Sequence, residues 1–245
     1  MSLDRLRYEL KLMGGKVTLT PVVSMLSFGL LSFLLIYLHN NSVLPRFLMG
    51  GLEMILPLAA GIITVMLTSY DQAIEIQLTV PRLYHLTVLR RLLLLLGWCI
   101  LVGLFTSLII ATVNLSLLHL DLGSWPLVLN FLLTQLGWIA PLAWFVCAGF
   151  CLGALLRNWV AGTTVLSAIW LLEIVFKDYL KATDWLHSIF FFATTLTPIE
   201  QVTSSTFGAW LTARWQMCAI AAALLFIGWL LTHNTEAVLK SSSEA

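Results

Sequence analysis

The residues of this chain with the most potential for chemistry are two glutamates inside long apolar stretches. Glu53 and Glu173 each lie several residues inside a run of hydrophobic side chains. A carboxylate at membrane depth is costly unless it is paired or faces water, and such residues are commonly functional. Two interpretations stay open: the glutamates line or gate an outward-facing pathway, or they pair with neighbouring cations such as Arg46 and Lys177.

The chain lacks the residue patterns of the common enzyme classes. It contains no His-Glu-x-x-His zinc helix, no Gly-x-Ser-x-Gly nucleophile turn and no run of aspartates. Its five histidines are scattered near the ends of apolar stretches, and its four cysteines lie inside such stretches without accompanying ligands. These observations predict a protein that is not an enzyme, has no metal site and carries no cofactor of its own.

The composition predicts that the glutamates belong to a helical membrane protein. Of the 245 residues, 60% are hydrophobic and 10% are charged, and the mean hydropathy is +0.95. A soluble domain usually carries about 25% charged residues. The net charge of +1 excludes nucleic-acid binding that is driven by bulk electrostatics. We therefore predict an all-α, single transmembrane domain over residues 1–245 that contacts membrane lipid and no nucleic acid.

Six apolar stretches are long enough to cross a bilayer as helices. A spanning helix needs about 20 mainly apolar residues, and lipid offers no partner for an unsatisfied backbone group. Residues 1–18 have the pattern of an amphipathic helix on the membrane surface, and residues 233–245 are expected to form a cytoplasmic tail. The predicted spans, within residues 19–232, are Leu19–Leu38, Gly50–Thr68, Leu92–Leu115, Leu127–Leu156, Trp159–Phe176 and Trp210–Thr232.

The distribution of lysine and arginine predicts that both termini are cytoplasmic. With the amino end inside, nine basic residues lie in inner segments and four in outer segments, as the positive-inside rule requires. Residues 177–209, on the outer side, are too interrupted to span and too apolar for a solvated loop. Short helices that re-enter the outer leaflet would explain them, provided that protein buries their ends. The four outer basic residues are Arg46, Lys177, Lys181 and Arg214.

The inner segment between the second and third spans carries the most information. Residues 71–77 are acidic and polar, Pro81 and Arg82 follow, and Arg90 and Arg91 stand just before the third span. The arginine pair is explained by the positive-inside rule alone, but the acidic stretch is not. A helix that runs along the membrane and turns at Pro81 would present its charges to a soluble partner.

Together these features resemble the membrane subunit of a type-2 ATP-binding-cassette (ABC) exporter. That family has an amphipathic amino-terminal elbow helix, six spans with both ends inside, and a partly apolar outer segment before the sixth span. After the second span it has a Glu, then a Pro some six residues on, then basic residues that open the third span. Residues 76–77 are Ile and Gln, where the family usually has a Gly. The matching residues are Glu75, Pro81, Arg90 and Arg91.

The resemblance implies a permease subunit that forms a substrate path as a dimer, with an identical copy or a related chain. It implies a separate cassette ATPase as partner, which would bind ATP and Mg and hydrolyse ATP. By this resemblance the coupling helix that contacts the ATPase contains Tyr70, Asp71, Glu75, Gln77, Pro81 and Arg82. The residues expected near the translocation path, including the two glutamates of our own hypothesis, are Glu53, Thr64, Thr68, Thr163, Thr164, Ser167 and Glu173.

The resemblance also implies a multi-pass protein of the bacterial plasma (inner) membrane. An alternative from a different class is a self-contained secondary transporter or channel. Its signs would be inverted repeats, broken helices or ionisable groups at mid-bilayer. We find no clear repeat, and both glutamates lie off the centre of their spans. The sequence leaves open the cargo and whether the dimer has identical subunits.

Overall fold

Every regular element in the part of the chain that the structure describes is a helix. A computed structural model describes residues 14–37, 44–69, 84–112, 127–183, 191–192, 195 and 204–233. The elements are α1 (Gly15–Tyr37), α2 (Leu44–Gly50), a π-helical turn (Gly51–Ile55), α3 (Leu56–Ser69), α4 (Tyr84–Thr112), α5 (Leu127–Leu156), α6 (Trp159–Val175), α7 (Lys177–Ala182) and α8 (Ser204–His233).

Four helical stretches are long and apolar enough to cross a membrane, so the chain is an α-helical membrane protein. They are Phe47–Ser69, Thr87–Ile110, Phe131–Leu156 and Gly208–His233, and they correspond to the second, third, fourth and sixth predicted spans. The first and fifth predicted spans fall on α1 and α6, whose apolar parts are shorter, Val17–Ser32 and Trp159–Val175. Six crossings therefore stay a prediction.

Several sequence predictions fall outside the described residues. These are the greater part of the elbow helix, the coupling positions from Tyr70 to Arg82, and the cytoplasmic tail. At the amino end, α1 already begins at Gly15, inside the range predicted for the elbow. Gly14 has a φ of 78°, in the left-handed region that glycine adopts readily, so the backbone turns just before α1.

The helices α3 and α5 form the central pair of the bundle. A Cβ atom added to Gly149 would collide with the backbone carbonyl oxygen of Gly61, and one added to Gly153 would meet the Cβ of Thr68 at 2.8 Å. Because these glycines have no side chain, the two backbones approach closely, as small residues allow in membrane helices. This contact places the π turn, which leads into α3, beside the centre of the bundle.

Apolar side chains pack against both sides of the central pair. One cluster joins it to α1 and α4 and includes Met25, Leu56, Leu95 and Phe150. The other joins it to α6, α8 and the outer segment through Leu166, Phe191, Phe192 and Met217. The outward faces are also apolar: Leu30 is 70% exposed and Phe105 is 67% exposed. Surfaces of this kind are unfavourable in water and suit a hydrocarbon solvent.

A two-residue turn connects α5 to α6. Arg157 has a φ of 50°, which ends α5, and Asn158 caps α6. The Asn158 side-chain oxygen accepts hydrogen bonds from the backbone N–H groups of Val160 and Ala161, at 3.0 and 3.2 Å. The cap satisfies donors that would otherwise lack partners at the start of a helix.

We expect Gly149→Ala to destabilise the protein, because the added methyl group must push α5 away from the Gly61 backbone. Overpacking of this kind costs about 1–3 kcal/mol, and the thermal unfolding midpoint of the purified protein in detergent measures it. Gly97→Ala on α4 is the matched control, since no heavy atom lies within 4 Å of a Cβ at that position. An equal loss in both variants would contradict the close approach.

Candidate functional site

Three ionisable side chains from different parts of the chain are buried together at the predicted outer end of the bundle. Glu53 lies in the π turn, Glu173 near the end of α6, and Arg214 in α8. Their exposed fractions are 0%, 4% and 1%, respectively. Burial of a charge is strongly unfavourable unless its partners compensate for the lost water. The contacts of these three residues therefore define what the site can do.

Glu53 and Arg214 form a buried ion pair. The Nη2 atom of Arg214 lies 2.7 Å from Oε1 of Glu53, a distance typical of a charge-assisted hydrogen bond. The guanidinium carbon of Arg214 also lies 5.6 Å from the centre of the Trp210 ring, within the range of a cation–π interaction. The ion pair links the second predicted span to the sixth.

All three charged residues also bind the backbone of the outer segment between α7 and α8. Arg214 Nη1 donates to the carbonyl oxygen of Phe191 at 2.7 Å, and the Phe191 N–H donates to Oε2 of Glu173 at 3.2 Å. The Thr195 N–H donates to Oε2 of Glu53 at 2.6 Å. We call Glu53, Glu173 and Arg214 the charge clamp. It supplies hydrogen-bond partners that lipid cannot provide to the backbone groups of Phe191 and Thr195.

The π turn that carries Glu53 has a local cause in the sequence. Pro57, four residues after Glu53, has no N–H to donate to the Glu53 carbonyl, and its ring would clash with that carbonyl in a regular α-helix. The wider turn avoids this contact, and the Leu56 N–H bonds to the Gly51 carbonyl instead. The Met54 carbonyl accepts a hydrogen bond from the indole of Trp170 at 3.0 Å. The irregular turn thus receives a hydrogen bond from the Trp170 side chain of α6.

Aromatic side chains hold the same outer segment against the bundle. The ring centre of Phe191 lies 4.3 Å from that of Trp144 and 5.5 Å from that of Phe145, both on α5. Phe192 is completely buried and its ring contacts that of Trp170 edge-on, with centres 6.4 Å apart. The charge clamp therefore binds the outer segment next to two side chains, Phe191 and Phe192, that are packed inside the protein.

The residues predicted to lie near the translocation path do not all lie together in the structure. Glu53 and Glu173 belong to the charge clamp. The Thr64 and Thr68 hydroxyls donate to carbonyls one turn earlier in the second span, and both residues line a small pocket against Arg91 of α4. The Thr163 and Thr164 hydroxyls both donate to the Val160 carbonyl on the exposed side of α6. Ser167, also on α6, is partly buried.

Arg214 is the partner of Glu53 that the sequence did not predict, because the lysine and arginine distribution places it only among the outer-side cations. A usable signal was present, because Arg214 is the one Asp, Glu, Lys or Arg within the predicted span Trp210–Thr232. An intramembrane cation needs a partner, and Glu53 and Glu173 were the two carboxylates at membrane depth. Which of the two carboxylates pairs with Arg214 follows only from the three-dimensional arrangement, in which the partner is Glu53.

We expect a double-mutant cycle to show strong coupling between Glu53 and Arg214. Glu53→Gln and Arg214→Gln each remove one partner of a buried ion pair, and such a change costs about 3–5 kcal/mol. The double variant leaves neither charge, so its loss of stability should be smaller than the sum of the single losses. Unfolding in detergent provides the measurement.

The exposed residue Asp178 provides the control for that cycle. Asp178→Asn should leave the stability nearly unchanged, because it removes a carboxylate that water already solvates. Strictly additive effects of Glu53→Gln and Arg214→Gln would contradict a direct interaction between the two residues.

The contacts of the charge clamp with the outer segment are the main structural basis from which a function can be inferred. Comparisons of the chain with protein-family models, with curated proteins and with solved structures gave no match. The function must therefore be inferred from the residues of this chain and from their geometry.

Proposed function

We propose that this chain is the membrane-spanning permease subunit of an ATP-driven exporter of the type-2 ABC class. It would form the substrate path as a dimer, while a separate cassette ATPase binds ATP and Mg. The observation that carries this proposal is the order of parts along the chain: a polar inner segment after the second span, then Pro81 and a basic start of the third span, and a partly apolar outer segment before the sixth.

The position of α4 supports this order. The helix begins at Tyr84, three residues after Pro81, and it contains Arg90 and Arg91 in its second turn. The polar inner segment thus lies between the end of α3 at Ser69 and the start of α4. A segment of this length has room for a short helix and a turn, as the coupling role requires.

The burial of Phe191 and Phe192 in the outer segment gives a second line of support. An exporter that alternates its access needs to be closed on the outer side while it is open on the inner side. Phe191 and Phe192 are buried among the predicted spans, and the charge clamp binds the Phe191 and Thr195 backbone. In the proposed protein this segment closes the outer end of each subunit.

The proposed path lies at the contact between two permease copies. On α6, Thr164 is exposed and Thr163 and Ser167 are partly exposed, so these side chains are accessible to a second copy or to cargo. Thr64 and Thr68 instead face the pocket against α4. They would belong to the path only where it extends into that pocket.

A self-contained secondary transporter is the second candidate. The π turn interrupts the second predicted span beside Glu53, which is buried. Irregular helices beside ionisable groups are a feature of such transporters. On this alternative the chain works without an ATPase, and the clamp residues take part in substrate or ion coupling.

The experiment that separates these candidates is purification of the tagged protein from its native membrane in mild detergent, with identification of bound proteins and an ATPase assay. The permease proposal predicts a stoichiometric cassette ATPase and vanadate-sensitive ATP hydrolysis. A single chain without ATPase, under conditions that preserve a known exporter complex, would contradict the proposal and favour the secondary transporter.

We expect Glu75→Gln and Arg82→Gln to lower the ATP hydrolysis of the assembled complex several-fold without loss of folded protein. These changes remove charges from the segment proposed to contact the ATPase. The matched control is Asp178→Asn in α7, on the predicted outer side, which should leave hydrolysis unchanged. Unaltered hydrolysis and transport in both inner variants would contradict the proposed coupling segment.

A further inference from the structure

Among the side chains that the structure describes, the charge clamp contains two carboxylates and one cation. Glu53 and Arg214 form a close ion pair at 2.7 Å, which leaves Glu173 as the second acidic group of the site. Its Oε2 atom accepts only the Phe191 N–H, at 3.2 Å, among the described residues. If all three groups were ionised, the clamp would hold a net negative charge at a position that is almost completely buried.

None of the described titratable groups near Glu173 supplies a second positive charge. Arg214 faces it from α8 but is bound to Glu53. Cys218 of α8 and Cys147 of α5 carry no positive charge in any protonation state. Lys177, four residues further along the chain, forms no ion pair with Glu173. In the part of the chain that the structure describes, Glu173 therefore has no cation of its own.

We propose that Glu173 is a proton-binding site: its carboxyl carries a proton while the clamp binds the backbone of Phe191 and Thr195 in the outer segment. A buried acidic group without a counter-charge becomes neutral by binding a proton, because the desolvation cost falls on the charged form. When the segment leaves the clamp and water enters, the carboxyl is solvated and releases its proton to that water. The ligand of this site is thus a proton, taken up from the outer side in the proposed orientation.

Proton binding at Glu173 and docking of the outer segment are thermodynamically linked. The docked state binds the proton more tightly than the open, hydrated state, so raising the pH favours the open state. The neutral carboxyl still accepts the Phe191 N–H through its carbonyl oxygen, and Arg214 keeps its ion pair with Glu53. This inference needs no ATPase and applies to either class of transporter, so it can succeed or fail independently of the proposed function.

The test is hydrogen–deuterium exchange of the segment that contains Phe191 and Thr195, in the full-length protein in lipid nanodiscs, over a series of pH values. After correction for the intrinsic base-catalysed rate, release of one proton on opening raises the opening constant by up to about tenfold per pH unit. Glu173→Gln is neutral at every pH and retains a carbonyl acceptor. We expect this variant to stay protected, with no pH-dependent opening.

Two controls make the outcome decisive. Asp178→Asn removes a nearby exposed carboxylate and should keep the wild-type pH dependence. A wild-type slope in Glu173→Gln, or no slope in the wild type, would overturn the proposal. A dependence on sodium or potassium at constant pH, in place of the pH dependence, would overturn it in favour of a metal-cation site.

A second measurement does not require any variant to fold. Infrared spectroscopy of the wild-type protein should show the C=O band of a buried, protonated carboxyl group, and the band should disappear as the pH is raised. It should be missing from Glu173→Gln where that variant folds. Absence of any protonated carboxyl band in the wild type at every pH would overturn the proposal.

Discussion

The ion pair between Glu53 and Arg214 is the contact on which the arrangement of the predicted outer end depends. It joins the π turn to α8, and each partner also forms a hydrogen bond with the outer segment, Glu53 with Thr195 and Arg214 with Phe191. A membrane interior offers little water to a separated charge. The positions of the two helices and of the segment between α7 and α8 therefore constrain one another.

The same constraint explains why backbone irregularity is concentrated near the ion pair. Pro57 prevents a regular helix at Glu53, and the resulting π turn carries the Met54 carbonyl that Trp170 of α6 binds. In a hydrocarbon solvent each irregular backbone group needs a protein partner. The indole, the two carboxylates and the guanidinium supply such partners, which brings α3, α6 and α8 together at one end of the bundle.

The helices were predictable from the sequence because they depend on local composition. The bounds of α5 match the prediction, and those of α6 differ by one residue, at Val175. Hydropathy does not specify which side chains meet: Glu53 and Arg214 are 161 positions apart. Their pairing follows from how the helices are rotated in the bundle. The π turn was also missed, since apolar length says nothing about one extra residue within a turn.

The π turn makes the number of residues in the second predicted span as important as their identity. Each residue of an α-helix turns the chain by about 100°. In a chain with one residue fewer between Gly51 and Ile55, everything before the deletion would be rotated by about that angle relative to α3. The side chain at position 53 would then point away from Arg214. An insertion or deletion at this turn would therefore disturb the ion pair even where the hydrophobic length of the span is preserved.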